Sequence, residues 1–185
     1  MSRKYKFLNQ EQAYFVSFAV VHWIDVFTRK IYCDKLVESL KYCQIEKGLI
    51  LYGWCIMPSH VHLIMGTKKE RMQNILRDLR ASLLVLFGKK SKVIQSHPKE
   101  SRKEWMMEMM IKTGLNNGNN KDWQFWQQNN HPIELSSNKI IDQKLEYLYY
   151  NPVVAGYVES PEDWLYSSAK DYYGNQGLLE VELIY

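Results

Sequence analysis

The stretch that decides the fold is Tyr52-Gly-Trp-Cys-Ile-Met-Pro-Ser-His-Val-His-Leu-Ile-Met-Gly66. Its two halves are apolar, and Pro58-Ser59 between them is typical of a tight turn, so we expect a β-hairpin. Because side chains alternate along a strand, His60 and His62 share one of its faces. The opposite face takes Val61, Leu63 and Met65, which suits a core. Two imidazoles on one face of a strand form half of a divalent metal site.

The composition is that of one soluble globular domain. The chain has 185 residues, of which 46% are hydrophobic and 24% charged, and this length favours a single core. No apolar run approaches the roughly 20 residues of a membrane-spanning helix, and Met1–Lys6 lacks the apolar segment of a signal peptide. The three cysteines are an odd number at no metal-binding spacing, so we expect buried thiols in a reducing cytoplasm.

Charge is distributed unevenly along the chain, although the net charge is only +4. Between Lys68 and Lys103 there are 11 Lys and Arg residues against three acidic ones, whereas 134–185 carries 9 acidic residues against three lysines. A basic middle segment together with 14% aromatic residues favours a polyanionic ligand whose bases can stack on rings. A solvated helix face would show the same charges. As contacts to backbone phosphates we predict Arg71, Arg77, Arg80, Lys89, Lys90 and Lys92.

Periodicity predicts the element order β-α-β-β-α-(α)-β-α. Strands are indicated at 13–22, 49–57, 61–66 and 122–128. Helices are indicated at 31–46, 72–86, 98–112 and from Lys139 to Asn151. Pro152 is expected to end the last helix, and a final apolar strand is expected in the tail.

This order predicts an α+β fold of the split βαβ, ferredoxin- or RRM-like kind, with helices packed on an antiparallel sheet. We expect one domain, residues 1–185, with a basic helical segment at 68–112 and a C-terminal extension at 153–185. Because that fold serves many functions, the function must be argued from the site.

A second group of functional side chains stands at the end of the last long helix. Tyr147 and Asn151 are four residues apart and therefore share a helix face, which lies beside the apolar stripe that includes Leu145 and Leu148. A helix docked by that stripe presents both residues at the seam between helix and sheet. There the amide oxygen of Asn151 can complete a site with the two histidines. Such a set suits Mg²⁺ or Mn²⁺ when phosphate oxygens fill the remaining positions.

This combination has a specific use on a phosphodiester. A tyrosine hydroxyl, with a pKa of about 10, is a weak nucleophile at neutral pH. A metal that withdraws charge from the scissile phosphate makes its attack feasible. Attack links the tyrosine to the DNA through the phosphate and frees a 3′-hydroxyl, which can later attack that link and join another strand.

Met57-Pro-Ser-His-Val-His-Leu-Ile64 resembles the histidine–hydrophobic–histidine strand of HUH-type endonucleases. More narrowly, the chain resembles the REP-associated single-tyrosine transposases, whose strand reads Met-Pro-Asn-His-x-His and whose later segment resembles Tyr-Ile-His-x-Asn-Pro-Val-x-Ala-Gly. Here that segment is Tyr147-Leu-Tyr-Tyr-Asn-Pro-Val-Val-Ala-Gly156. The resemblance extends to Phe125-Trp-Gln127 and Pro161-Glu-Asp-Trp-Leu-Tyr-Ser-Ser168 and covers roughly residues 15–173.

The resemblance implies a metal-dependent enzyme that cuts and rejoins single-stranded, hairpin-forming DNA in a transposase-like reaction through a 5′-phosphotyrosine. It implies Tyr147 as the nucleophile. The ligands of Mg²⁺ or Mn²⁺ are implied to be His60, His62 and Asn151.

Two neighbouring tyrosines depart from the family pattern. Tyr149 stands where the family commonly has a histidine, and Tyr150 follows it. They are rotated by about 200° and 300° from Tyr147 around the helix. Only Tyr147 therefore has the four-residue relation to Asn151.

Two other classes of function remain open from the residues themselves. One is a nucleic-acid-binding module that has the fold but no chemistry. The other is a metal-free phosphoesterase with paired histidines as acid and base, although a histidine-triad enzyme would have a third alternating histidine where this chain has Ile64. A DNA ligand implies a cytoplasmic, nucleoid-associated protein without membrane contact. A homodimer that exchanges its tyrosine helix through the polar loop at 116–121 is compatible with the sequence, as is a monomer.

Overall fold

The computed structural model describes residues 7–87, 101–118, 122–128 and 131–184. Its centre is a four-stranded antiparallel sheet with the strand order β2-β3-β1-β4. The strands are β1 (Tyr14–Ala19), β2 (Leu49–Ile56), β3 (His60–Thr67) and β4 (Ile133–Glu134). The helices are α1 (Lys30–Lys47), α2 (Met72–Phe87), α3 (Lys103–Leu115), α4 (Asn138–Val154) and α5 (Ala169–Tyr172). The expected α+β fold with helices on an antiparallel sheet is confirmed.

The histidine-bearing hairpin forms as its sequence predicts. The strands β2 and β3 pair from Leu49↔Thr67 to Ile56↔Val61. Across the turn, the backbone N–H of Met57 donates to the carbonyl of His60 at 2.8 Å. Because β1 pairs with the other edge of β3, β3 is an interior strand, and neighbours on both sides fix the directions of its side chains.

The helices α1 and α2 cover the face of the sheet opposite the histidines. Their apolar stripes pack onto β3, where the predicted core residues are all fully buried, namely Val61, Leu63 and Met65. The stripe of α2 begins at Met72 as expected. The glycine at the end of α1, Gly48, takes the left-handed conformation (φ 70°) that allows the chain to turn directly into β2, as is usual after a helix.

The helix α4 packs on the histidine-bearing face. Its residues Leu145, Leu148 and Tyr149 form a second apolar cluster with side chains of β1, β2 and β3. A Cβ atom built on Gly53 in β2 would lie 3.3 Å from Cδ2 of Leu145. The missing side chain at Gly53 thus lets the helix lie close to the sheet, and this close approach positions the polar residues of α4 over β3.

Residues 122–128 do not form the fourth strand that their aromatic residues predict. Only an isolated bridge joins Trp126 to Val20, and the backbone N–H of Gln127 donates to the carbonyl of Ala19 at 2.8 Å. The segment therefore only caps the end of β1, and Trp126 is buried in the core. The fourth strand is instead the two-residue β4, which is too short to leave a periodic signal.

Two expectations for the C-terminal third are also wrong. The helix α4 continues through Pro152 to Val154, because a proline in the last turn removes only one intrahelical hydrogen bond. The Pro152 ring is buried, and its carbonyl accepts from the backbone N–H of Tyr157 at 2.9 Å. The expected final strand is absent from the described tail, where the N–H of Glu182 donates to the carbonyl of Leu51 without a strand pairing. None of the helices in the described ranges is long and apolar enough to cross a membrane.

Candidate functional site

His60 and His62 lie side by side on β3 and face α4. Their ring centroids are 4.7 Å apart, with the rings nearly perpendicular at 79°. His62 pairs across the sheet with Ser17 and Cys55 and is only 2% exposed. His60, the first residue of the strand, is partly exposed. The pair is thus accessible from the His60 side and closed at His62.

The helix α4 brings Asn151 and Tyr147 to the same place. The side-chain Nδ2 of Asn151 lies 3.0 Å from Nε2 of His62. The Tyr147 ring stands edge-on to the His62 ring with centroids 5.2 Å apart, and the tyrosine is 50% exposed. The structure therefore gathers His60, His62, Tyr147 and Asn151 from two distant parts of one chain, at the seam between helix and sheet.

The two neighbouring tyrosines point elsewhere. Tyr149 is buried in the cluster beneath α4, where its ring contacts that of Tyr172, and burial raises the pKa of its hydroxyl. Tyr150 is exposed and lies near Tyr173. Of the three, Tyr147 alone makes a ring contact with a histidine of the pair among the contacts of the described residues.

Both histidines are held in their neutral form. Burial lowers the pKa of His60 to about 4. Burial lowers the pKa of His62 to about 3, and the positive charges of His60 and Lys144 add to the effect. At neutral pH each imidazole therefore keeps a free lone pair. A divalent cation would not have to displace a proton from either ring.

The side chains of the cluster fit a divalent cation. The hydroxyl of Ser59 lies 3.1 Å from Nδ1 of His60, which orients that ring and leaves its Nε2 for a ligand. In His62 it is Nε2 that meets the Asn151 amide, and turning that amide over would present its oxygen at the same point. Nδ1 of His62 is buried without a hydrogen-bond partner among the described residues, so this ring is oriented by its ring contacts and by the Asn151 amide at Nε2. The described ranges contain no cluster of three or more His, Cys, Asp or Glu side chains suited to a metal.

Three further side chains complete the surroundings of the cluster, and none of them was identified from the sequence. Phe15 stacks on the His62 ring with centroids 5.6 Å apart. The ammonium of Lys144 lies 5.0 Å from the centroid of Phe15 and 5.9 Å from that of Tyr147. Trp23 stands edge-on to His60 at 5.3 Å. Lys144 precedes Tyr147 by three residues, and residues three apart on a helix lie on the same face. This spacing is the sequence signal that could have placed Lys144 at the site.

The predicted phosphate contacts lie apart from this cluster. Arg71, Arg77 and Arg80 are on or just before α2, which covers the other face of the sheet. Nε of Arg77 bonds Asp78 at 2.8 Å, and Arg80 is partly buried with Nη2 donating to the Gln127 carbonyl at 3.2 Å. Arg71 is exposed. The other three, Lys89, Lys90 and Lys92, lie outside the described residues. DNA contacts at all six positions stay a prediction.

The fold and the site together define an α+β protein whose interior strand offers paired histidines to a tyrosine-bearing helix. The sequence is 29% identical over 114 residues to the Haemophilus influenzae protein named "Putative REP-associated tyrosine transposase", an alignment that covers 62% of this chain and 55% of that protein. The chain thus spans about half the length of the curated relative that it matches. The resemblance to REP-associated tyrosine transposases is confirmed by this relationship. No protein-family model matches the sequence.

One solved structure shares the fold of this chain, and a second matches it less well. The structure of a REP-associated tyrosine transposase bound to a REP hairpin matches over 100% of this chain and 94% of that chain, with a TM-score of 0.63 and 14% identity. At this identity the match establishes a common fold. The second structure is that of a Deinococcus radiodurans protein described as a "putative transposase". Its match covers 79% of this chain and 95% of that chain, with a TM-score of 0.42 and 16% identity.

Proposed function

We propose that this protein is a transposase-like, metal-dependent endonuclease and strand transferase that acts on single-stranded, hairpin-forming DNA. The observation that carries the proposal is the meeting of half-exposed Tyr147 with buried His62 and with Asn151 in one cluster. A nucleophile, two neutral imidazoles and an amide are the parts that phosphodiester transfer to tyrosine needs. Relatedness to a REP-associated tyrosine transposase supports this reaction class.

The metal site would consist of Nε2 of His60, Nε2 of His62 and the amide oxygen of Asn151. Mg²⁺ or Mn²⁺ bound there would supply Lewis-acid polarisation of the scissile phosphate. The chain's own part is to keep both imidazoles unprotonated by burial and to hold the amide against β3. Partial exposure of His60 leaves that side open to a phosphate.

Tyr147 would be the nucleophile. In the proposed step, a bond forms between its phenolic oxygen and phosphorus while the bond from phosphorus to the 3′-oxygen breaks. The phenolic proton passes to solvent, which reaches the half-exposed side chain, and the departing 3′-oxygen takes up a proton from solvent. The product is a 5′-phosphotyrosine and a free 3′-hydroxyl. In the reverse direction a 3′-hydroxyl attacks the phosphotyrosine, so strands are rejoined without another energy source.

The DNA partner is proposed from the same relationship. The related solved structure holds a REP hairpin, and the segment Lys68–Lys103 of this chain carries a net charge of +8. A segment of this charge suits a polyanionic partner such as a folded DNA, whose single-stranded flank would enter the site at Tyr147. We therefore propose that the substrate is a DNA hairpin with single-stranded tails. We also propose that the protein is associated with the nucleoid, where such DNA is found.

The test is covalent capture. Labelled hairpin DNA with randomised single-stranded tails is incubated with the protein and Mg²⁺ or Mn²⁺, and protein–DNA adducts are separated on a denaturing gel. We expect an adduct with the native protein, none in EDTA, and none with Tyr147→Phe. Absence of any adduct with the native protein in either metal would refute the enzymatic function.

Three variants serve as controls for the nucleophile and the metal. Tyr149→Phe and Tyr150→Phe should form the adduct, because neither hydroxyl lies at the histidine pair. An adduct that survives Tyr147→Phe but disappears with either of these would assign the nucleophile to the other tyrosine. His60→Ala should abolish cleavage while retaining hairpin binding. Loss of both would indicate that His60 has a structural role instead.

A further inference from the structure

Two consecutive residues beside the histidine pair have a strained backbone. His22 and Trp23 have φ values of 55° and 56°, and within the described ranges they are the two non-glycine residues with positive φ. The left-handed region is uncommon for any residue other than glycine, and although histidine tolerates it better than most, it is unfavourable for a side chain as bulky as that of Trp23. Such strain persists only where surrounding contacts impose it, and it is concentrated at functional sites.

The contacts that impose this conformation come from both sides of the turn. The backbone N–H of Val21 donates to the carbonyl of Phe125 at 2.8 Å, and that of Trp23 donates to Val20 at 3.0 Å. Nε2 of His22 lies 2.7 Å from the hydroxyl of Thr113 in α3. That hydroxyl already donates to the Met109 carbonyl, so His22 is the donor. The turn is therefore tied to residues 122–128 and to α3, and its own hydrogen bond to Val20 fixes the backbone of Trp23.

This anchoring presents an indole ring to solvent. Trp23 is 59% exposed, so burial of the ring does not offset the strain. One edge contact holds it against His60, at 5.3 Å between centroids and 78° between planes. A large, exposed aromatic ring on an anchored backbone beside an open site is a surface on which a nucleobase can stack.

Trp23 and Tyr147 flank the histidine pair from opposite ends. Three edge-to-face contacts form a row, from Trp23 to His60, from His60 to His62, and from His62 to Tyr147. In an in-line displacement the entering and leaving oxygens stand on opposite sides of phosphorus. A phosphate held at the histidines and attacked from the Tyr147 end therefore expels its 3′-oxygen toward the Trp23 end.

We propose that Trp23 is the stacking platform for the base immediately 5′ of the cut, on the nucleotide whose 3′-oxygen leaves. This inference rests on the proposed function and adds the binding position of one nucleotide to it. Because the leaving strand would stay stacked on Trp23 after cleavage, its 3′-hydroxyl remains in place for rejoining. Trp23 thus contributes to retention of the cut strand and takes no part in the bond changes themselves.

The test combines variants with abasic DNA in a binding assay that requires no catalysis. In a Tyr147→Phe background with EDTA, fluorescence anisotropy measures the affinity for a hairpin selected for binding from the randomised tails. One nucleotide at a time is replaced by an abasic residue. At the position immediately 5′ of the cut, we expect the abasic residue to weaken binding by about 5-fold to 100-fold when Trp23 is present. In Trp23→Ala the same replacement should cost no further affinity.

Matched variants separate stacking from other effects. In Trp23→Phe the abasic residue should still weaken binding by most of this factor, whereas in Trp23→Leu it should not, since only an aromatic ring stacks. We call this loss of affinity the abasic penalty. Trp105→Ala, which removes an exposed tryptophan on α3, should behave like the parent. With Tyr147 restored, Trp23→Ala should accumulate the covalent adduct and lose rejoining.

Two results would overturn the proposal. One is an abasic penalty of equal size with and without Trp23. The other is a loss of affinity that depends on Trp23 when the abasic residue stands at the nucleotide 3′ of the cut instead. If the abasic residue weakens binding at one nucleotide only when Trp23 is present, and the native protein does not cleave, the proposed enzyme is refuted while the base contact is supported.

Discussion

The side-chain amide of Asn151 lies 3.0 Å from Nε2 of His62, joining two residues that are 89 positions apart in the sequence. This contact brings the end of α4 to the centre of the sheet. It sets Tyr147, one helical turn earlier, with its ring edge against the same imidazole. The geometry of the proposed nucleophile relative to the proposed metal site therefore depends on how Asn151 and His62 meet.

Replacement of Asn151 should weaken metal binding. We expect Asn151→Ala to lower Mn²⁺ affinity and adduct formation by about 10-fold or more, because one of three donors is lost. Asn151→Asp should retain both, since a carboxylate oxygen is a good ligand for these cations. Calorimetric titration with Mn²⁺ and the gel assay measure the two effects. Asn175→Ala, at an exposed position, is the control, and unchanged Mn²⁺ affinity in Asn151→Ala would show that the amide is no ligand.

Local patterns predicted the parts of this site well. The period-two alternation around His60 and His62 and the four-residue spacing of Tyr147 and Asn151 are properties of a strand and a helix alone. They therefore hold wherever those elements pack. The apolar stripe of α4 predicts that the helix docks on the sheet with Tyr147 and Asn151 at the seam. The family resemblance implies that they meet the histidines there, because a contact across 89 residues leaves no periodic signal of its own.

The residues that the sequence did not reveal depend on tertiary structure. Trp23 reaches His60 through two non-glycine residues in the left-handed region, a conformation that composition does not indicate. The two-residue β4 is too short for a pattern, and the aromatic residues at 122–128 reflect burial at the end of β1. The sequence predicts that Pro152 ends α4, whereas the helix continues to Val154 because a proline in the last turn removes only one intrahelical hydrogen bond.

Lys144 should contribute to binding of the DNA backbone at the site. Its ammonium lies over Phe15 and Tyr147, and no ion pair of Lys144 with a carboxylate is present among the described residues. We expect Lys144→Met to weaken single-strand binding and to reduce the slope of log affinity against log salt by about 0.7. Lys144→Arg should retain the slope. Lys139→Met, which removes an exposed lysine at the start of the same helix, is the matched control; an equal reduction of the slope in both methionine variants would contradict a specific contact.

Burial of His62 should make the metal-free protein sensitive to acid. Its folded pKa of about 3 lies below the unfolded value of about 6.5, so the unfolded state binds the extra proton as the pH falls. The contribution of His62 to the free energy of unfolding is fully present above pH 6.5 and is lost progressively as the pH falls toward 3. At pH 5 this histidine alone accounts for a loss of about 2 kcal/mol in the free energy of unfolding.

Urea denaturation in EDTA at several pH values measures this dependence. In His62→Gln the free energy of unfolding should change less steeply with pH between 4 and 6. The slope should fall by the amount that corresponds to the uptake of about one proton on unfolding. Asn175→Ala, which removes an exposed side chain that does not titrate, should leave the dependence as it is in the native protein. A pH dependence that is the same in His62→Gln and in the native protein would mean that His62 is protonated in the folded state.

The site should be complete within one chain. Asn151 and Tyr147 meet the histidines of the same chain, so two inactive variants cannot repair each other. We expect a mixture of His62→Ala and Tyr147→Phe proteins to form no covalent adduct with hairpin DNA, at any ratio. A dimer with exchanged helices would behave differently, because a mixed dimer would pair the intact histidines of one chain with the intact tyrosine of the other. Adduct formation in the mixture, after unfolding and refolding together to allow exchange, would contradict the single-chain site; the native protein taken through the same treatment is the control for recovery.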